Sequence, residues 1–310
     1  MEGDTIDSVF LTGGTGFVGT HLRKKLAERD CRVTLLVRDP ETVSTRSNES
    51  VVVGDITDPE MPTASADSVV HLAADTNVPR SIEQPTSVWE ANADGTQNVL
   101  EAARESGVER FCYVSTASVY GPPRFLPIDE DHPMNPAEPY GASKLAGDRL
   151  TSTYARAYDI STVIVRPFNL FGPGQPEYNV VPTIIKQALE SDTVELGNLS
   201  PSRDFTYVED AVEGIVRVLD SGKDGEAYNL GRGESVSIRT LAEQIIEQAD
   251  SDAAVVSTSN RQRDDDIEIP EHAADASKLR SLGWNPRYGL RDGIEETIRA
   301  ARKRASSRTD

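Results

Sequence analysis

A glycine-rich turn constrains this chain more than any other feature. Ser8 to Thr12 reads as a short buried strand, and Gly13-Gly14-Thr15-Gly16-Phe17-Val18-Gly19 follows it directly. Val18, Leu22 and Leu26 then recur four apart, the pattern of an amphipathic helix. Strand, glycine turn and helix N-terminus in that order make an anion site, because the first helical N–H groups lack partners and the helix dipole is positive there. Gly13 permits the tight turn, Gly16 lets a pyrophosphate approach the backbone, and Gly19 lets the helix pack on the sheet. With strand and helix both in place, the turn predicts a dinucleotide site.

The rest of the chain repeats the alternation. Strands are expected at Arg32–Val37, Val51–Val53, Ser68–Leu72, Val108–Ser115 and Thr162–Val165. Helices are expected over 85–106, from Tyr140 to about Ala157, over 210–219, over 238–249 and at the C-terminus. This predicts an α/β fold: a Rossmann-like, doubly wound parallel sheet with a small interleaved α/β substrate-binding cap. Residues 1–172 are assigned to the sheet domain, with 204–235 returning to it. Residues 173–203 and 236–310 are assigned to the cap.

Composition narrows the function classes. The 310 residues are 37% hydrophobic and 27% charged, as in a soluble globular protein, and no apolar run reaches the ~18 residues that suggest a membrane span. The acidic start, Met1-Glu2-Gly3-Asp4, does not resemble a secretory signal. Cys31 and Cys112 are expected as buried thiols, and the compartment as cytoplasmic. The net charge of −19 disfavours nucleic acid and anionic membranes as partners. His21, His71, His132 and His272 are scattered without ligand spacing, so no metal is expected. His71 is read as a satisfied core histidine.

Ligands of an open parallel sheet bind beyond the carboxyl ends of its strands. At those ends lie Arg38, Asp55-Ile56, Leu72-Ala73-Ala74 and Thr116. A ribose-reading acid is usual after the second strand, but Val37-Arg38-Asp39 stands there. Arg38 can meet a 2′-phosphate, which favours NADP. The alternative is NAD, with Asp39 reaching the ribose. Tyr140 and Lys144, four apart, share a helix face. An ammonium beside a phenol is expected to lower the phenol's pKa towards working pH and make Tyr140 a general base or acid.

In this order, these motifs, with Asn92, Arg166-Pro167-Phe168-Asn169, Arg203-Asp204-Phe205 and Asn229-Leu230-Gly231, resemble the extended short-chain dehydrogenase/reductase family. The likeness is to its NAD(P)-dependent nucleotide-sugar epimerases and dehydratases, and it covers nearly the whole chain. The resemblance implies that Tyr140 is the acid/base, that Lys144 holds the nicotinamide ribose, and that Thr116 hydrogen-bonds the reacting sugar hydroxyl. It implies a cofactor wall of Gly13, Gly16, Phe17, Val18, Arg38, Asp55, Ile56, Leu72, Ala73, Ala74 and Asn92. It implies that Asn169, Asn179, Arg203 and an arginine of the Arg261–Arg263 pair grip a nucleotide-diphosphate sugar, since guanidinium meets phosphate bidentately. Homodimers are usual among related proteins, and the helices at 92–106 and 140–157 are the candidate interface.

One departure from the family bears on the chemistry. Many 4,6-dehydratases carry Asp-Glu after the threonine, to eliminate water, and here Ala117 and Ser118 stand instead. The expected activity is therefore C4 epimerisation of a UDP-hexose through a 4-keto sugar. A counter-signal, Gly197-Asn198-Leu199, resembles the dehydratase and keto-reductase branches. The alternatives are an NADPH-dependent reductase of a nucleotide-4-keto-6-deoxy sugar, a 4,6-dehydratase or, more remotely, a non-catalytic NAD(P)-sensing protein.

The acidic excess, 51 acidic against 32 basic residues, is spread over helices and loops and suggests a salt-loving source. Salt shortens the screening length from about 10 Å at ~0.1 M to about 3 Å at ~1 M, so self-repulsion falls. The thermal midpoint is expected to rise as KCl enters the molar range. A flat or falling midpoint in calorimetry would overturn this reading.

Overall fold

The structure, a computed structural model, describes residues 6–62, 65–258 and 268–306. The chain opens with β1 (Ser8–Thr12), α1 (Phe17–Ala27), β2 (Arg32–Val37), β3 (Glu49–Val53) and β4 (Ser68–His71). Two short helices follow, α2 (Val78–Glu83) and α3 (Pro85–Trp89), then a π-helical turn over Glu90–Asp94 and α4 (Gly95–Glu105). Next come β5 (Arg110–Val114), α5 (Pro139–Ala157), β6 (Ser161–Pro167), β7 (Asn169–Phe171) and α6 (Val180–Glu190). After β8 (Thr193–Leu196) and β9 (Ser202–Tyr207) come α7 (Val208–Ser221) and β10 (Glu226–Leu230). The last elements are β11 (Ser235–Ser237), α8 (Ile238–Gln248), β12 (Ala254–Ser257), β13 (Glu271–His272), α9 (Ser277–Ser281) and α10 (Leu290–Ser306).

Seven strands form one parallel sheet in the order β10-β6-β5-β4-β1-β2-β3. Its central strands are apolar at nearly every position because both faces are covered. Val9 and Leu11 join one core cluster with Leu22 and Leu26 of α1 and Val212 and Ile215 of α7. Phe10, between them, joins the opposite cluster with Val99 and Leu100 of α4 and Tyr154 of α5. The same alternation places Val163 and Val165 on the first face and Ile164 on the second. Strand order reverses between β1 and β4, which opens a crevice at the carboxyl ends of Thr12 and His71. This is the Rossmann-like α/β architecture expected from the alternation.

A smaller four-stranded sheet and a two-stranded one, β8 with β12, build the cap. In the four-stranded sheet β9 pairs with β7, β11 and β13. Their core holds Phe171, Ile184, Val194, Phe205, Leu241 and Ile294. Two expected boundaries move. Residues 204–207, assigned to the main sheet, lie on β9 in the small sheet, and the chain rejoins the main body through α7 and β10. The buried Asp204 carboxylate fixes β9 there by accepting the backbone N–H groups of Arg232, Gly233 and Ala274 at 2.9, 2.8 and 3.1 Å. Part of 236–310 is also core rather than cap. Ala276, Leu279 and Trp284 pack in the main-sheet cluster, and Trp284 Nε1 donates to the carbonyl of Asp210 at 2.9 Å.

The helix expected over 85–106 is also interrupted. Its π turn turns Asn92 inward, where it is fully buried. α5 begins at Pro139, whose missing N–H suits a first helical position, and the Glu138 carboxylate caps the N–H of Gly141 at 2.9 Å. The helix is tied to β6 by a buried, two-pronged pair. Arg166 Nε and Nη2 meet Asp148 Oδ2 and Oδ1 at 2.9 and 3.0 Å.

Removing one partner of such a pair strands a buried charge. Asp148→Ala is expected to destabilise the fold by about 3–5 kcal/mol in urea unfolding, against at most about 1 kcal/mol for an exposed pair such as Arg299–Glu295.

Candidate active site

The glycine turn sits at the crevice. Gly13 adopts φ +71°, and a Cβ there would lie 2.6 Å from the backbone nitrogen of Ala73. A Cβ at Gly19 would lie 2.2 Å from the carbonyl oxygen of Gly13. The turn therefore touches both the Leu72-Ala73-Ala74 segment and the first turn of α1, with no room for side chains between. Gly16 occupies the N-cap of α1 without a side-chain cap, so the N–H groups of Phe17 and Val18 begin the helix uncapped. Thr15 and Gly16 are exposed. These donors, at the positive end of an 11-residue helix, fit a pyrophosphate.

The other expected cofactor residues differ in kind. Arg38 is exposed at the end of β2 and makes no ion pair or side-chain hydrogen bond among the described residues. Its neighbour Asp39 accepts the N–H of Glu41 at 3.0 Å and caps a short turn. Asp55 Oδ1 holds the N–H and hydroxyl of Thr57, both at 3.0 Å. Ile56 packs against the start of α4, where a Cβ on Gly95 would sit 2.9 Å from its Cδ1. Asn92 does not line the crevice as expected. Its amide accepts from the N–H of Asp75 at 2.7 Å and donates to the carbonyl of Asp75 at 2.9 Å and to Ser143 Oγ at 3.0 Å. It ties the wall of the crevice to α5.

Thr116, Tyr140 and Lys144 converge. A 3₁₀ turn, Ala117–Val119, follows Thr116, and it packs on the first turn of α5 because Gly141 has no side chain. A Cβ on Gly141 would lie 2.8 Å from the carbonyl oxygen of Ser118. This packing brings the Thr116 side chain up to the phenol of Tyr140, where it favours the ionised form. Lys144 Nζ donates to the carbonyl of Val114 at 2.9 Å and lies 4.2 Å from the centre of the Tyr113 ring. Ser115 Oγ, beside Thr116, is buried without a hydrogen-bond partner among the described residues.

The electrostatics depart from expectation. The Tyr140 phenol is pushed above its ordinary value. Burial is the largest cause, and Glu138, Tyr178 and Asp75 add to it against the opposing effect of Thr116. Lys144 is pushed down from 10.5 to about 7, also chiefly by burial, with Asp148 opposing. In the protein by itself the ammonium does not lower the phenol, because desolvation acts on both groups and Lys144 points to Val114 and Tyr113.

The expected substrate residues lie around the cap side. Asn169 opens β7, half-buried. Asn179 precedes α6 and donates to the carbonyl of Pro176 at 3.2 Å. Arg203 lies on β9, its Nη2 pairing with Glu268 at 3.4 Å and its Nη1 donating to the carbonyl of Ser202 at 2.9 Å. Arg261 and Arg263 fall outside the described residues. The sequence reading missed two residues. Ser143, inside the Tyr140–Lys144 motif, bonds Asn92. Tyr178 is 55% exposed and its hydroxyl is 3.5 Å from Thr76 Oγ1, across from the segment after β4. No sequence pattern marks Tyr178. Among the described residues no helix is long and apolar enough to cross a membrane, and no group of His, Cys, Asp and Glu is arranged to hold a metal ion.

Comparison with known proteins agrees with this geometry. The profile described as "NAD dependent epimerase/dehydratase family" matches residues 9–231. The chain is 34% identical over 307 residues to the low-salt glycan biosynthesis protein Agl12 of Haloferax volcanii, covering 94% of this chain and 97% of that one. It is 30% identical over 317 residues to the dTDP-D-glucose 4,6-dehydratase of Homo sapiens, covering 96% and 91%. The crystal structure of UDP-glucose 4-epimerase from Thermus thermophilus, a complex with NAD, superposes with a TM-score of 0.86 at 29% identity, covering 95% of this chain and 99% of that one.

The depressed Lys144 makes a stability prediction. Its folded value lies below its unfolded one, so the unfolded chain binds more protons between about pH 7 and 10.5. Stability therefore rises with pH through that window, and the burden of the buried ammonium is complete below it. Lys144→Met is expected to raise the urea midpoint most below about pH 7, with the gain shrinking towards pH 10.5. A gain independent of pH would show that burial of charge is not its source.

Proposed function

The chain belongs to the NAD dependent epimerase/dehydratase family, and on that premise we propose that it epimerises a nucleotide-diphosphate sugar, a UDP-hexose, at C4. The observation that carries this reading is the set of groups around Tyr140. Ala117 is buried among Val119, Tyr120, Ile128 and Phe168, and Ser118 brings only a hydroxyl. The acids whose charge reaches Tyr140 are already engaged. Glu138 caps Gly141, and Asp75 holds the N–H of Asn77 at 3.2 Å and pairs with Arg80 at 3.1 Å. Eliminating water across C5 and C6 needs an acid and a base near those carbons, and Ala117 and Ser118, the two positions after Thr116, supply no carboxyl for it. Reversible oxidation at one carbon needs, besides a bound nicotinamide to take and return the hydride, a single protein group that accepts a proton and later gives it back.

In this mechanism the glycine turn and the N-terminus of α1 bind the cofactor pyrophosphate, and Lys144 holds its ribose. A bound nicotinamide supplies the hydride acceptor and donor. Thr116 orients the C4 hydroxyl and Tyr140 takes its proton. The 4-keto sugar turns over within the cap, and Tyr140 returns the proton once the opposite face is presented. The raised phenol means that Tyr140 rests protonated in the protein alone, so it can accept a proton only when bound positive charge favours the phenolate. A second reading, an NADPH-dependent keto-sugar reductase, is favoured by Arg38, which is free to meet a 2′-phosphate while Asp39 is committed to its turn.

Nucleotide sugars incubated with the protein at high salt, with NAD and with NADP, are expected to give the C4 epimer by NMR without net change in reduced cofactor. A 4-keto-6-deoxy product, or steady NADPH consumption with a keto sugar, would sink the epimerase reading. Tyr140→Phe is expected to lower kcat by about 10²–10⁴-fold with KM little changed.

A further inference from the structure

Of the buried titratable groups outside the proposed chemistry, His71 is the most tightly specified. It ends β4, is fully buried, and stacks on Tyr113 with centroids 5.7 Å apart. Both ring nitrogens are engaged, Nδ1 with Thr12 Oγ1 at 2.6 Å and Nε2 with Thr96 Oγ1 at 3.1 Å. The partners decide which nitrogen carries the proton. Thr96 Oγ1 lies 2.5 Å from the carbonyl oxygen of Asn92. Only the threonine can supply the proton between those two oxygens, so it has none left for His71. Nε2 must therefore donate. Thr12 Oγ1 accepts the N–H of Ala73 at 3.2 Å and keeps its own proton to donate to Nδ1. The opposite tautomer would set bare lone pairs of Nε2 and Thr96 against each other.

The chain of bonds runs on from there. Thr12 precedes Gly13, and Ala73 lies in the segment packed against it. At the other end the Asn92 side chain donates to Ser143 Oγ at 3.0 Å, and Ser143 Oγ donates to the carbonyl of Tyr140 at 2.8 Å. We propose that neutral, Nε2-protonated His71 is a positioning residue, a strut that fixes the cofactor-side wall at Thr12 and Ala73 relative to the helix carrying Tyr140. This builds on the redox role proposed for Tyr140 without depending on the identity of the sugar. Burial and the nearby Lys144 both oppose a charge on the ring, in keeping with a fixed neutral form.

The direct test is ¹⁵N NMR of the full-length protein labelled at histidine. His71 is expected to show a protonated Nε2 and a bare Nδ1, unchanged between about pH 5 and pH 8, whereas an ordinary histidine titrates there. An Nδ1-protonated ring, or an imidazolium, overturns the proposal whatever the enzyme's substrate proves to be. The functional test uses two partial mimics. His71→Asn keeps an acceptor for Thr12 but loses the bond to Thr96. It is expected to bind NAD(P) with nearly unchanged affinity by fluorescence titration, and to lose on the order of 10²-fold in kcat with little change in KM. His71→Gln keeps the donor towards Thr96 and is expected to weaken NAD(P) binding instead. Thr96→Val should match His71→Asn, and the double variant should be no worse than either. Thr96→Val carries the readout if His71→Asn does not fold. A folded Thr96→Val enzyme with kcat within about twofold of the parent overturns the strut. Absence of any nucleotide-sugar turnover by the parent counts against the proposed function alone, since the tautomer and NAD(P) affinities are read without it.

Discussion

The contact between the glycine turn and the first turn of α1 has no slack. The carbonyl oxygen of Gly13 occupies the place that a Cβ on residue 19 would need, and the backbone of Ala73 occupies the place that a Cβ on residue 13 would need. Three backbone segments from β1, α1 and the end of β4 thereby meet without side chains between them. The height of α1 above the sheet follows from this, and so does the exposure of its uncapped N–H groups at the crevice. Larger residues at 13 or 19 would lift the helix and remove the anion site with the packing. Structure and binding are one constraint here, which is why the motif was readable from sequence alone.

The candidate catalytic group is built by the opposite means, through burial of polar groups. Tyr140, Lys144, Asn92, Ser143, His71 and Thr96 are each at least nine-tenths hidden from solvent. Burial makes a charge on either Tyr140 or Lys144 unfavourable and makes every unpaired donor expensive. The fold answers with complete pairing. Lys144 has Val114, Asn92 has Asp75 and Ser143, and His71 has its two threonines. Ser115 Oγ breaks that pattern beside Thr116, where a bound ligand would supply a partner. The rigidity that results holds the phenol in place but leaves its proton to be moved by what binds.

These two modes of construction explain what could be read from the chain. Strands such as Ser8–Thr12 and Arg32–Val37 were legible because a doubly covered sheet demands apolar runs bounded by glycine or charge. The convergence of Thr116 with Tyr140 was legible through the rule for strand ends. The placement of β9 was not, because it depends on Asp204 capturing N–H groups 28 to 70 residues away. Neither was the pairing of Arg203 with Glu268, a residue 65 positions further on. The direction of the Tyr140 shift was misread for a related reason. Spacing reveals that a lysine lies on the same helix face, but only packing reveals how dry that face is.

The chain's acidity sharpens the point. With 51 acidic residues, a free carboxylate near any given atom would be unsurprising. Near Tyr140, however, Glu138 is spent on capping α5 and Asp75 on Asn77 and Arg80, while Ala117 faces an apolar cluster. The acids deeper in this part of the fold, Asp148 and Asp204, are bound to Arg166 and to three backbone amides. Each serves the architecture. An acid that already accepts hydrogen bonds is a poor general base, because protonating it would break those bonds and leave their donors buried. Among the described residues the site is therefore left with a hydroxyl pair, Thr116 and Tyr140, and a lysine that burial brings close to neutrality. Tyr140 and Lys144 share one property: burial disfavours the charged form of each, so a bound charge decides where the proton sits.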